Sequence, residues 1–141
     1  MTYGQAYSDR YLETAVLTAT PEQLVVMLYE GAIRYLSQAM VCIEVRDYER
    51  KRVAVDLALG IVEHLQTSLD MRKGGAISGE LRKLYKYIGA KILQGSIELK
   101  TEPLDEAVKL LSTLLESWRQ VASRKQASRI MSAEAVGVLV G

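Results

Sequence analysis

The sequence predicts an all-α chain: an antiparallel up-down four-helix bundle with an N-terminal arm and a short C-terminal tail. Three observations predict it. Apolar residues recur at helical spacing through four long segments, only two prolines interrupt the 141 residues, and no stretch alternates apolar and polar residues as a strand does. The expected boundaries are an arm over 1–19, a bundle over 20–123 and a tail over 124–141, which is read as either a short helix or disordered.

The first bundle helix is marked by Thr20-Pro21-Glu22-Gln23. A threonine cap precedes a proline at the first helical position, and Gln23 is placed to reach back and close a capping box. Leu24, Leu28, Tyr35, Ala39 and Cys42 then follow one helical stripe, with Val25, Tyr29, Ala32, Leu36 and Ile43 on a second beside it. The helix is expected to end near Val45.

Asp47 is the expected cap of the next helix, which carries Ala54, Ala58, Ile61, Leu65 and Leu69, with Val55 and Val62 on its flank. That helix is expected to stop at "DMRKGG", where Gly74 and Gly75 turn the chain. A third helix begins at Ser78 with Leu81, Tyr85, Ile88, Ile92 and Leu99, until Thr101-Glu102-Pro103 breaks it. The fourth carries Leu104, Ala107, Val108, Leu111, Leu114, Leu115, Trp118 and Val121. Gly60, Gly89 and Gly95 fall inside helical patterns, each at a cost of roughly 1 kcal/mol against alanine.

Composition removes several function classes. Eighteen Lys and Arg against seventeen Asp and Glu leave a net charge of +1, too little to hold a phosphate backbone, so no nucleic acid is expected as a partner. No run approaches the roughly twenty apolar residues of a membrane span, and the N-terminus lacks the basic and apolar regions of a signal peptide. Direct membrane insertion is therefore not expected. The single cysteine, Cys42, sits in an apolar run and reads as a buried free thiol in a reducing, cytoplasmic setting.

A di-metal carboxylate site in a bundle requires Glu-x-x-His on two helices, and the chain has one histidine, His64, with Ile61 three residues before it. No Gly-rich phosphate loop follows a strand. Neither catalytic residues nor a metal or cofactor site is indicated, so the chain reads as a non-enzyme.

One feature of the first helix is in surplus. Every residue from Leu24 to Tyr29 is apolar, whereas a bundle needs one stripe per helix. The surplus suits one of three occupants: the first nineteen residues of the chain, a second copy, or an amphipathic helix of another protein. A homodimeric helical adaptor using this surface for self-association is the alternative to a binding module for a foreign helix.

The run "AYSDRYLETAVLTATPEQLVVMLYEGAIRYLSQA", followed by "LDMRKGGAIS", "LRKLYKYIGAKIL" and "LLSTLLESW", resembles the flagellin-specific export chaperones of the bacterial flagellar secretion system, the FliS-type family. The likeness spans residues 6 to 121 in order. It rests on Tyr7, the Thr-Pro-x-x-Leu helix start, Leu28-Tyr29-x-Gly31-Ala32, Lys73-Gly74-Gly75, Leu84-Tyr85-x-Tyr87 and Trp118. Ala76 and Gly95-Ser96 depart from the family pattern of an acidic residue after the glycines and an Ala-Asn pair.

The resemblance implies a cytoplasmic chaperone in the bacterial cytosol that binds the disordered C-terminal segment of flagellin, prevents premature polymerisation and delivers it to the flagellar export gate of the type III secretion system. The resemblance further implies flagellar regulators as candidate partners. On this reading Val25, Tyr29, Ala32, Leu36 and Tyr85 are candidates for the client groove, and Tyr7, Tyr11, Leu12 and Val16 for an arm that caps it until the client arrives.

Overall fold

The computed structural model describes residues 3–69 and 71–140, with side chains over 9–69, 74–128 and at Met131. The described residues form α-helices and no strand: α1 (Tyr3–Thr18), α2 (Pro21–Glu44), α3 (Tyr48–Thr67), α4 (Met71–Glu98) and α5 (Thr101–Val140). The chain is all-α, as its apolar periodicity predicts.

Local chemistry sets the starts. The Gln23 amide donates to Thr20 Oγ1 at 3.1 Å, and the Thr20 amide donates to Gln23 Oε1 at 2.8 Å, so the reciprocal capping box forms with Pro21 opening α2. Asp47 caps α3 by accepting from the Arg50 amide at 3.2 Å. Between α2 and α3 the chain reverses through Arg46 in the left-handed region at φ 59°.

Several boundaries differ from the sequence expectation; the fourth helix does not end by 123 but continues as α5 to Val140, through the segment read as a separate tail. α3 ends at Thr67, before the glycine pair, where Ser68 is the C-cap and both its amide and its hydroxyl donate to the His64 carbonyl, at 3.0 and 2.6 Å. Helix resumes at Met71 and is broken inside α4 by Gly75 at φ 54°, ψ −126°, a conformation essentially confined to glycine. Leu99 is also displaced from the helical stripe assigned to it. It sits past the end of α4 at φ 56° and is partly exposed, because the turn into α5 needs one left-handed residue where the Lys100 amide donates back to the Gly95 carbonyl at 3.0 Å. Thr101-Glu102-Pro103 both ends one helix and opens the next, since proline in a first turn forfeits no intrahelical bond.

The chain divides into two compact units, Met27–Glu116 and Met1–Val26 with Ser117–Gly141. In the larger unit the core is made by Tyr29, Leu36, Ile88, Ile92, Leu104 and Leu111, all fully buried. Each contributes on the order of 1.5–3 kcal/mol by leaving water. α3 packs along α4. Lys51, early in α3, donates to the carbonyl and hydroxyl of Ser96, late in α4, at 3.1 and 3.2 Å. A Cβ on Gly31 of α2 would lie 3.3 Å from Ile61 Cδ1 of α3, and one on Gly95 of α4 would lie 2.9 Å from Leu104 Cγ of α5. The smaller unit holds the Thr20 cap, buried Ala122 and a long 3.4 Å hydrogen bond from Gln23 Nε2 to Gln126 Oε1.

Candidate interaction surface

The helical stripes that bury Ala54 and Ala58 of α3 against the core leave Val53 and Leu57, one position earlier on each turn, facing outward. On α2 the same geometry leaves Val41 outward beside buried Ala39 and Ile43. Val41, Val53 and Leu57 are 57, 53 and 45 % exposed, and they wall one groove of about 610 Å³ between α2 and α3. Cys42 and Ala54 lie at its floor, and the charged side chains lining it, Arg34 and Arg50, are both cationic. Cys42 is half-buried beneath this opening, more accessible than the buried thiol expected from its apolar neighbours.

The residues singled out from the sequence separate by depth. Tyr29, Ala32, Leu36 and Tyr85 lie in the core. The Tyr29 and Tyr85 hydroxyls hydrogen-bond one another, with the rings tilted at 49° and their centroids 6.4 Å apart. Desolvation by burial pushes the Tyr85 phenol above its ordinary value, and the bond to Tyr29 partly offsets the rise. Val25 is half-buried in α2. Tyr11, Leu12 and Val16 are exposed on α1, as is Leu17, whereas Tyr7 lies outside the described side chains.

Sequence reasoning missed Val41, Val53 and Leu57. The signal for the last two was an apolar i, i+4 pair offset by one residue from the core stripe of the same helix.

A polar cluster occupies the α4/α5 surface. The Tyr87 hydroxyl donates to Glu106 Oε1 at 2.5 Å, Lys91 Nζ stands 3.5 Å from Glu106 Oε2, and the same ammonium lies 5.5 Å from the Tyr87 ring centroid. The Tyr87 hydrogen bond holds the Glu106 carboxyl below its usual range, with help from Lys91. The recess between α2 and α5, about 550 Å³, is instead walled by Glu44, Glu102, Asp105 and Glu106 and offers little apolar area. Among the described residues no three His, Cys, Asp or Glu converge as metal ligands, and no helix is long and apolar enough to cross a membrane.

The slot between α2 and α3 is thus an apolar opening edged by two arginines. Comparison with known proteins identifies the family. The family model for flagellar protein FliS matches residues 3–125. The flagellar secretion chaperone FliS of Salmonella typhimurium is 34 % identical over 121 residues, 85 % of this chain and 90 % of that one. FliSB of Pseudomonas aeruginosa is 30 % identical over 79 % of this chain and 89 % of its own length, and FliS of Bacillus subtilis 28 % identical over 84 % and 88 %. These relatives are named as chaperones of flagellar secretion and not as enzymes. The chain belongs to the FliS family of flagellar secretion chaperones.

Proposed function

We propose that this protein is a cytoplasmic chaperone that binds the disordered C-terminal segment of flagellin, prevents its premature polymerisation and assists its passage through the flagellar type III secretion system. The observation that carries the reading is the α2/α3 groove, where Val41, Val53 and Leu57 expose large apolar side chains around a single slot. A segment that folds on binding loses conformational entropy, and an extended apolar surface offsets that loss.

The scaffold we infer for this surface is the antiparallel up-down four-helix bundle of α2 to α5. Contacts within the larger unit support it: Gly31 meets Ile61, Lys51 meets Ser96, Lys91 meets Glu106, and Tyr29 crosses to Tyr85. Tyr11, Leu12 and Val16 of α1 serve as an arm that competes with the client for apolar surface. Delivery brings the loaded chaperone to the flagellar export gate, and flagellar regulators are further candidate partners. No cofactor takes part.

The test is a calorimetric titration of the full chain with a flagellin C-terminal segment of about forty residues, with circular dichroism to follow helix gain. Saturable one-to-one binding with added helix is expected. Absence of binding, together with a stable dimer by sedimentation, would replace this reading with that of a homodimeric adaptor.

A further inference from the structure

We propose that the α2/α3 groove selects its client by charge register. It takes an amphipathic helix whose apolar stripe fills the slot and whose two flanks carry carboxylates about nine residues apart, one for Arg34 and one for Arg50. The proposal rests on the client-binding reading above and adds the chemistry by which a client is chosen.

The placement of the two arginines follows from the helix pair. Gly31 of α2 packs on Ile61 of α3, and the chain reverses at Arg46 between them, so α2 residues 34–42 run opposite α3 residues 57–50. Arg34 therefore stands on the α2 wall at the Leu57 end, and Arg50 on the α3 wall at the Val41 end. They occupy opposite walls and opposite ends. Eight residues of helix separate the two levels, about 12 Å at 1.5 Å per residue, or a little over two turns of a bound helix. On a helix, at about 100° per residue, positions nine apart lie about 180° from one another and so on opposite flanks of an apolar stripe, which matches this diagonal.

Both guanidinium groups can be recruited. Arg50 Nε stands 3.6 Å from Asp47 Oδ2 with the arginine side chain 85 % exposed, an arrangement that contributes little in water, and the other Asp47 oxygen is committed to capping α3. The Arg34 guanidinium rests 5.6 Å over the Tyr35 ring, a contact that leaves its planar donor edge available. A carboxylate arriving with its helix gains charge-assisted, bidentate geometry at the edge of an apolar slot, where water screens less than at an open surface. The slot has no lining carboxylate of its own. A second copy docked through this same face would bring arginines to a groove lined by arginines, so an acidic-flanked foreign helix is the better complement.

The experiment uses the full chain and designed amphipathic peptides that share one leucine stripe. The two diagonal flank positions carry Glu, Gln or Lys, and a fourth peptide places both Glu residues on one flank. Binding is measured by calorimetry at low and high salt, on the native chain and on Arg34→Gln, Arg50→Gln and the double variant, with the flagellin segment titrated in parallel. The diagonal Glu peptide is expected to bind the native chain about tenfold or more tighter than the Gln peptide, with the Lys and one-flank peptides weaker than the diagonal one. High salt and the double variant are both expected to erase the difference, and the salt series on the native chain stands even if a variant folds poorly.

Equal binding of the Glu and Gln peptides while the flagellin segment still binds would overturn the charge register and leave the chaperone reading intact. Failure of every peptide and of the flagellin segment would overturn both. A dimer abolished by Leu57→Asp would assign the groove to a second copy and overturn the proposal.

Discussion

The hydroxyls of Tyr29 and Tyr85 meet in the core between α2 and α4, each side chain almost wholly removed from solvent. Two polar groups at the centre of an apolar core are tolerated because each satisfies the other, and a hydrogen bond permits fewer relative positions than aliphatic contact. The pair thereby fixes how α2 and α4 align, and with them the walls that α2 presents to the groove.

Replacing either tyrosine by phenylalanine is expected to cost about 1 kcal/mol of unfolding free energy. Because both substitutions remove the same bond, Tyr29→Phe with Tyr85→Phe should cost less than the sum by at least about 0.5 kcal/mol. Urea unfolding of the four proteins measures this. Strict additivity would show that the hydroxyls act independently.

The raised Tyr85 phenol predicts alkaline sensitivity of a definite sign. Below the ordinary tyrosine value of 10.0 the group is protonated in both folded and unfolded chains, and its contribution is intact. As pH rises past that value the unfolded chain releases its proton first, so stability falls until the folded phenol also ionises. The urea midpoint of Tyr85→Phe should decline less steeply between about pH 9 and 11 than that of the native chain.

Glu106 titrates in the opposite sense. Its carboxyl is held below the ordinary 4.5 chiefly by the Tyr87 hydroxyl. Its contribution is present above that value and is lost as pH falls through the lowered folded value. Carboxyl NMR should find the Glu106 midpoint below the ordinary 4.5, and Tyr87→Phe should move it upward. An unchanged midpoint in the variant would assign the shift to Lys91 instead.

The helix glycines should divide by what surrounds them. A Cβ at Gly60 or Gly89 meets nothing within 4 Å, so Gly→Ala at either position should stabilise by about 0.5–1 kcal/mol. At Gly95 the added carbon would lie 2.9 Å from both Leu104 Cγ and the Lys100 carbonyl, and Gly95→Ala should cost about 1–3 kcal/mol. Thermal unfolding of the three variants checks the sign at each.

These glycines also mark how far the sequence could be read. Propensity assigned the same penalty to all three, because the partner that makes Gly95 necessary approaches from α5. The start of α2 was fully legible, since Thr20, Pro21 and Gln23 act over one turn of chain. The end of α3 was not, because it comes at the Ser68 cap before the more conspicuous glycines, and a serine is no stop signal by itself, as Ser37 inside α2 shows. Apolar period placed Tyr29, Leu36 and Tyr85 on inward stripes yet could not say whether those stripes faced a core or a groove. That distinction needs the rotation of each helix, and the offset of Val53 and Leu57 from the core stripe has meaning only once α2 lies alongside.

Removal of the arm tests the proposed competition with the client. α1 carries Tyr11, Leu12, Val16 and Leu17 as exposed apolar residues. If the arm competes with flagellin, the apparent affinity is the intrinsic affinity reduced by the fraction of molecules left open. Deleting residues 1–17 should then preserve or tighten binding of the flagellin segment, with the gain appearing mainly in the association rate, because more molecules are receptive at the moment of encounter. Tyr7→Ala should act in the same direction and more weakly. If the arm instead supplies part of the binding surface, the deletion removes contacts from the bound state, and affinity should fall about tenfold or more through faster dissociation. The two mechanisms therefore separate by sign and by which rate constant moves, and stopped-flow fluorescence from Trp118 or a labelled segment reads both.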